Sequence, residues 1–160
     1  MMEPKWSEKE IEFDVDMMDV EYLGNENLIC HVWDNLISNA IKFSPCGGTI
    51  YIRMMPEGEK IRFSIENEGP QISEYSMKHI FDKFYQGDSS HKQEGNGLGL
   101  ALVKQILNLC MGTVSVEIFP EAAVVLLLYC KTNILHISIK PKNSGHLIFH
   151  EVLPLFFYFI

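Results

Sequence analysis

Apolar residues recur with a helical period in and just before the stretch from His31 to Ser44. They stand at i, i+3, i+4, i+7, i+8 and i+11 from Ile29, which predicts a helix with one buried side. Asn25 is a candidate N-cap, and Pro45 predicts the end of the helix because the residue before a proline resists the helical conformation. The remaining side of this helix is polar and carries Asn35, Asn39 and Lys42.

Strict alternation of apolar and polar residues predicts strands elsewhere in the chain. It begins at residues 11–15 and returns at 49–55 and 60–66, which flank a Pro-Glu-Gly-Glu turn and are typical of an antiparallel hairpin. Residues 113–117 alternate as well, and the apolar run 122–130 is a further candidate strand. The core members expected from the hairpin are Ile50, Ile52, Ile61, Phe63 and Ile65.

Two further helices complete the pattern. One is capped by Ser73 and is expected to bury a stripe that ends at Phe84, and the other runs from about Leu98 to Cys110. Strands combined with helices on one face predict an α+β fold. We expect a two-layer sandwich with a mixed, mostly antiparallel sheet and about three helices.

Composition narrows the class of protein. A chain of 160 residues with 47% hydrophobic and 21% charged residues is typical of one soluble domain. A net charge of −8 argues against nucleic acid as the partner. Four cysteines without a CxxC pair fit reduced thiols in the cytoplasm. Since no apolar run reaches about 18 residues, we expect no direct membrane insertion.

The chain is expected to divide into three parts. Residues 1–10 form a polar leader, 11–130 form the domain, and 131–160 form an atypical tail. The tail ends in a cluster of aromatic residues that no upstream segment is expected to cover. From about residue 118 we expect either sequence read out of frame or an unselected extension, with an added edge hairpin as the alternative.

The polar side of the first helix allows two interpretations. Asn35, Asn39 and Lys42 form either an ordinary solvated face or a site where carboxamide oxygens hold a hard cation and the ammonium neutralises phosphate. The run Gly95–Leu100 favours the second interpretation, because it offers bare backbone N–H groups at a helix N-terminus. It lacks the lysine of a P-loop, which excludes that motif.

Four segments in order make the chemistry specific. The segments NLISNAIKFS, NEGPQI, IFDKFYQGD and GNGLGLALVK resemble the N, G1, F and G2 boxes of sensor histidine kinases of two-component systems. The similarity covers about residues 11–117. It implies the Bergerat fold, binding of Mg²⁺ and ATP, and transfer of the γ-phosphoryl group to a histidine on a dimerisation segment. A response regulator is then the next partner.

The resemblance also implies roles for single residues. Asn39 matches the magnesium ligand, Lys42 a phosphate contact, and Phe43 an aromatic residue near the adenine. Asn35 stands where nucleotide hydrolases of the superfamily have a glutamate that activates water, and a carboxamide cannot accept that proton. Asn35 therefore favours a kinase over an ATPase. The catalytic residues expected are Asn35 and Lys42, and those expected to bind ATP are Asn35, Asn39, Lys42, Phe43, Asn67, Gly69, Ile72, Lys92, Gly95, Gly97, Leu98, Gly99 and Leu100.

Three positions depart from the family pattern. Asn67 replaces the usual aspartate that binds the adenine amino group, so this contact loses its charge. Gln71 replaces a glycine, and a side chain there could crowd the base. Lys92 stands in the loop where relatives often have an arginine, and a lysine cannot bind a phosphate with two parallel N–H groups as an arginine does. We expect weakened but measurable nucleotide binding.

The acceptor histidine of these kinases lies on a helix before this domain, and only ten residues precede the first strand here. We therefore expect no autophosphorylation without an added acceptor. Two alternatives stay open at this point. One is a free-standing regulator of the same superfamily, resembling anti-sigma serine kinases, that acts by binding a protein partner. The other is a degenerate domain that no longer binds nucleotide.

Overall fold

The computed structural model describes residues 5–18, 25–70, 72–87, 95–119 and 122–131. Within these ranges the strands form one sheet, and the helices precede, connect or follow them in the chain. In chain order the elements are α1 (Lys5–Glu8), β1 (Glu12–Met17), α2 (Glu26–Phe43), β2 (Thr49–Glu57), β3 (Lys60–Asn67), α3 (Glu74–His79), α4 (Gly99–Leu109), β4 (Thr113–Phe119) and β5 (Ala122–Lys131).

The five strands form one mixed sheet in the order β1-β2-β3-β5-β4. Only β1 and β2 are parallel, and the other neighbouring pairs are antiparallel. The last strand in sequence, β5, lies between β3 and β4. The predicted mixed, mostly antiparallel sheet is confirmed. The candidate strand at 122–130 is confirmed as β5, which pairs with both β3 and β4.

The core lies between one face of the sheet and the helices α2 and α4. Along β3 every second side chain is buried, as the sequence alternation predicts. The ring of Phe63 on β3 stands 4.2 Å, centroid to centroid, from that of Trp33 on α2. The two-layer α+β sandwich is thereby confirmed. The most deeply buried side chains are Phe63, Leu36, Ile50, Ile65, Leu107, Leu128, Val32 and Val103.

Both predicted helix caps are present. The side chain of Asn25 accepts a hydrogen bond from the Leu28 N–H at 3.1 Å, and that of Ser73 accepts one from the Ser76 N–H at the same distance. These oxygens satisfy amide groups that the first turn of a helix leaves without a partner. The cap at Asn25 fixes where α2 begins, and hence which of its side chains face the sheet.

The predicted burial of Phe84 is wrong. The helix α3 ends at His79, and the chain continues in turns in which the Tyr85 N–H donates to the Asp82 carbonyl. Phe84 lies in the left-handed region, with φ of 64°, and its side chain is 72% exposed. The prediction fails because α3 ends before Phe84, so this residue does not continue the apolar side of the helix.

Residues of the leader contact the end of α2 in a way that the sequence did not indicate. The Lys9 ammonium donates to the carbonyls of Ile41, Lys42 and Ser44 at 2.8, 2.9 and 2.9 Å. Carbonyls at a helix C-terminus have no partner within the helix and carry partial negative charge. Lys9 therefore acts as a cap for the turn of α2 that carries Lys42 and Phe43.

Replacing Lys9 by methionine is expected to destabilise the domain by about 1–2 kcal/mol, because three carbonyls lose a charged donor. Urea unfolding followed by circular dichroism measures the change. Lys78→Met is the matched control, since Lys78 is exposed on α3. It should change stability by less than about 0.5 kcal/mol. Equal stability of the two variants would contradict the capping role.

Candidate nucleotide site

The polar side of α2 places two carboxamides one turn apart. Asn35 and Asn39 are both half-buried, while His31, one turn earlier, is exposed. The Asn35 Nδ2 group donates to the carbonyl of His31 at 2.7 Å. Because the amide nitrogen is engaged with the backbone of its own helix, the Oδ1 atom is the end left to face the neighbouring elements.

Gly99 brings the start of α4 against this carboxamide. A β-carbon on Gly99 would stand only 2.7 Å from the Asn35 Oδ1 atom. Any larger residue would force the side chain of Asn35 to move. The absence of a side chain therefore sets the distance between the polar face of α2 and the N-terminus of α4, where backbone N–H groups favour negative charge.

Lys42 links the same face of α2 to the glycine run. A β-carbon on Gly95 would lie 3.0 Å from the Lys42 ammonium. The ammonium also stands 5.0 Å from the centre of the Phe43 ring. A positive charge thus lies next to backbone that offers N–H groups. This is an arrangement that can hold a phosphate chain.

The end of β3 forms a third wall. Asn67 is 7% exposed, and a β-carbon on Gly69 would lie 2.6 Å from the Phe43 carbonyl oxygen and 3.0 Å from the Asn67 Nδ2 atom. Only glycine can approach the end of α2 this closely. Ile72 follows and is half-buried. The segment after β3 is consequently packed against the residue that precedes the cap of α2.

The glycine run is held in place by the turns after α3. The Phe84 N–H donates to the Gly97 carbonyl at 2.9 Å, and the Gln86 Nε2 group donates to the Gly95 carbonyl at 2.7 Å. The side chain of Asn96 accepts from the Leu98 N–H at 3.2 Å. The sequence analysis did not anticipate these three contacts. No local pattern could reveal them, because two of them join segments that are distant in sequence.

The structure brings together most of the predicted residues. Asn35 lies beside Gly99, Lys42 beside Gly95, and Phe43 beside Gly69. Asn39 lies on the same helix one turn from Asn35. Leu98 and Leu100 are half-buried at the start of α4, and Leu100 packs on the core. Lys92 and Gln71 lie outside the described residues, so the predictions for them stay predictions.

The carboxyl of Asp34 on α2 has a raised pKa. Partial burial raises the pKa of the Asp34 carboxyl, and the opposing attraction of His31 only reduces this shift. Burial has this effect because it penalises the charged form of an acid.

The donor set fits Mg²⁺ held together with nucleotide. Within the described ranges, no group of three His, Cys, Asp or Glu residues is close enough to bind a metal ion. Mg²⁺ does not need one, since it takes one or two protein oxygens and completes its shell with phosphate and water. Asn39 could supply such an oxygen. The mixed sheet with its helices has the Bergerat fold.

Comparison with known proteins identifies the family. Residues 24–144 match the sequence profile described as histidine kinase-, DNA gyrase B-, and HSP90-like ATPase. The match covers most of the chain, which therefore belongs to this family of ATPases. It includes all of the described residues from α2 to β5, and so every element that forms the site.

A curated relative is the heme sensor protein HssS of Staphylococcus epidermidis, strain ATCC 12228, which is 38% identical over 108 residues. The alignment covers 68% of this chain but only 23% of HssS. The chain thus spans about a quarter of the length of this relative. Among the helices that the structure describes, none is both long and apolar enough to cross a bilayer.

Solved structures of histidine kinases share the fold. The mycobacterial sensor histidine kinase MprB matches with a TM-score of 0.74 and 24% identity, over 80% of this chain and 88% of that one. The catalytic domain of histidine kinase ThkA matches with a TM-score of 0.71 and 27% identity, over 80% and 83%. ThkA is also known in complex with the response regulator protein TrrA, where the match has a TM-score of 0.66 and 24% identity over 80% and 36%.

Proposed function

We propose that this domain binds Mg²⁺ and ATP and transfers the γ-phosphoryl group to a histidine on a separate dimerisation segment. The observation that carries the proposal is the position of the Asn35 carboxamide oxygen beside the N-terminus of α4. Membership of the ATPase family and the likeness to the catalytic domain of ThkA support it. The function belongs to two-component signalling.

The chemistry that we propose needs no general base on this domain. A neutral histidine ring nitrogen attacks the γ-phosphorus with its own lone pair, the bond to the bridging oxygen breaks, and ADP leaves. Asn35 cannot remove a proton from water, so water is not activated while the acceptor is absent. Positioning and charge stabilisation supply the catalysis, as in other phosphoryl transfers.

In this proposal each wall of the site has one task. Asn39 binds the metal ion, which would neutralise charge on the phosphates, and Lys42 contacts a phosphate directly. Gly95, Gly97 and Gly99 wrap the phosphates with backbone. The residues assigned to the base and its surroundings are Phe43, Asn67, Gly69, Ile72, Leu98 and Leu100, and Lys92 is assigned to the phosphates.

The partners we propose are a histidine-containing acceptor segment and, through it, a response regulator. The ThkA complex with TrrA supports a regulator as the next partner, since ThkA shares the fold. A free-standing regulator of the superfamily is not favoured, because the relatives and solved structures that match here are sensor kinases. Asn35 argues against it too, since those regulators have an acid at the matching position.

The test is a phosphotransfer assay with labelled ATP. The domain is mixed with Mg²⁺, ATP and an acceptor helical hairpin from a related kinase, and label on the acceptor is measured over time. We expect transfer that needs both the hairpin and Mg²⁺, and none to a hairpin whose histidine is replaced by alanine. If the domain binds ATP tightly but transfers no label to acceptors from several relatives, it is a nucleotide-binding module and the proposed kinase activity is wrong.

A further inference from the structure

The last turn of α2 ends in carbonyl groups that need donors from elsewhere in the chain. The amide and the hydroxyl of Ser44 both donate to the carbonyl of Ala40. Because Pro45 comes next and has no N–H group, the first backbone donor after the cap is missing. The Gly48 N–H turns back to the carbonyl of Pro45. The other carbonyls of this turn are satisfied by a side chain from the leader.

That side chain is Lys9, whose ammonium has three N–H donors and meets three carbonyls. The half-buried Lys9 donates at 2.8 Å to Ile41 and at 2.9 Å to both Lys42 and Ser44. These carbonyls carry the partial negative charge of a helix C-terminus, so a positively charged donor suits them better than a neutral one. Lys9 therefore binds the turn of α2 that carries Lys42 and Phe43.

The leader is itself fixed to the domain, so Lys9 is held on both sides. Trp6 packs against the core, and its ring meets that of Phe13 edge-on with 6.2 Å between the centroids. The Ile11 N–H donates to the Trp6 carbonyl at 3.1 Å, and the Gly47 N–H donates to the Lys9 carbonyl at 2.8 Å. Both the backbone and the side chain of Lys9 are thus bound to the end of α2 or to the turn that follows it.

We infer that Lys9 is a positioning residue for nucleotide binding, and this inference rests on the proposed nucleotide site. Lys9 does not contact the nucleotide. It acts through Lys42, whose ammonium lies beside Gly95, and through Phe43, the last residue of α2. When the three carbonyls lose their donor, the last turn of α2 loosens and both side chains shift. Lys9 lies outside residues 11–117, so the resemblance to sensor kinases assigns it no role.

Calorimetric titration of the full chain with Mg-ATP tests the inference. Lys9→Met keeps a long side chain and removes the donors, and we expect it to weaken ATP binding by about tenfold, since small displacements of positioning groups have effects of this size or larger. Gly58→Ala is the matched control. Its φ of 62° makes alanine costly, so this variant also loses stability. Gly58 follows β2 at the end of β3 opposite to Asn67, and ATP affinity should stay unchanged.

Amide hydrogen exchange follows the step between Lys9 and the nucleotide. The Ser44 N–H donates to Ala40 across the last turn of α2, and local opening of this turn exposes it to exchange. In the absence of nucleotide we expect the Ser44 amide to exchange at least about fivefold faster in Lys9→Met than in Gly58→Ala. Because both variants are less stable than the original protein, the comparison isolates the local effect from global unfolding.

The outcomes separate this inference from the function on which it rests. Unchanged ATP affinity in Lys9→Met, or an equal loss of affinity in Gly58→Ala, would overturn the inference and leave the nucleotide site intact. Equal exchange of the Ser44 amide in the two variants would also overturn it. Failure of the folded original protein to bind Mg-ATP would overturn the proposed function itself. Circular dichroism verifies that each variant is folded, and Lys9→Gln, which retains neutral donors, replaces Lys9→Met if the latter does not fold.

Discussion

Replacement of Asn39 by alanine is expected to weaken Mg-ATP binding by at least about tenfold. Loss of a metal ligand, or of a residue that orients one, typically has an effect of this size. In the absence of Mg²⁺ the variant should bind ATP about as well as the original protein does. The reason is that the substitution removes an oxygen from the half-buried polar side of α2 and leaves the glycine run and Lys42 in place.

The dependence on Mg²⁺ is the sharpest measurement for Asn39, because a general loss of folding would weaken binding with and without the metal. Asn108→Ala makes the same chemical change on the exposed side of α4 and should retain full Mg²⁺ dependence. If Asn39→Ala still gains affinity on addition of Mg²⁺ as the original protein does, the metal is held by other atoms. The assignment of Asn39 as its ligand would then be wrong.

The helix that carries the site was predictable because its signals are local. The cap at Asn25, the apolar period and the proline after Ser44 all lie within the segment itself. The same holds for the hairpin of β2 and β3, whose alternation matches the observed burial. Elements of this kind follow from their own sequence, since each local preference agrees with the final fold.

The parts that could not be predicted depend on contacts between distant segments. Lys9 is one lysine in a polar leader, and nothing in the leader's sequence indicates that it caps α2 across more than thirty residues. The apolar periodicity wrongly predicted a buried Phe84, because turns that hydrogen-bond to the glycine run follow α3 in place of a further helical turn. The continuous apolar run of β5 lacked alternation, and its place between β3 and β4 depends on pairing with β3, which is distant in sequence.

The candidate site lies between these two cases. Its residue types and their order were visible in the sequence, while the distances that join them were not. Gly99 against Asn35 and Gly95 against Lys42 are close approaches between helix and loop, and they exist only because the glycines have no side chain. The burial of Asn67 likewise follows from its place at the end of β3 and not from the motif.

Replacement of Gly97 by alanine is expected to produce the largest combined loss of stability and nucleotide binding. Gly97 has φ of 67°, a conformation that costs an ordinary residue about 1–2 kcal/mol. Its new β-carbon would also stand 2.7 Å from the Tyr85 carbonyl oxygen and 2.8 Å from the Phe84 carbonyl carbon. Because these neighbours are backbone atoms, the whole glycine run must shift.

Gly58→Ala separates the two causes. Gly58 lies in the turn between β2 and β3 with nearly the same φ, 62°, but nothing lies within 4 Å of its would-be β-carbon. Both variants bear the conformational cost, and only Gly97→Ala displaces backbone next to Lys42. Thermal unfolding and calorimetry should therefore show a stability loss of about 1–2 kcal/mol with unchanged ATP affinity for Gly58→Ala. Gly97→Ala should lose more stability and at least about tenfold in affinity, since misplaced positioning groups cost that much or more. Equal ATP affinity of the two variants would show that the glycine run does not hold the phosphates.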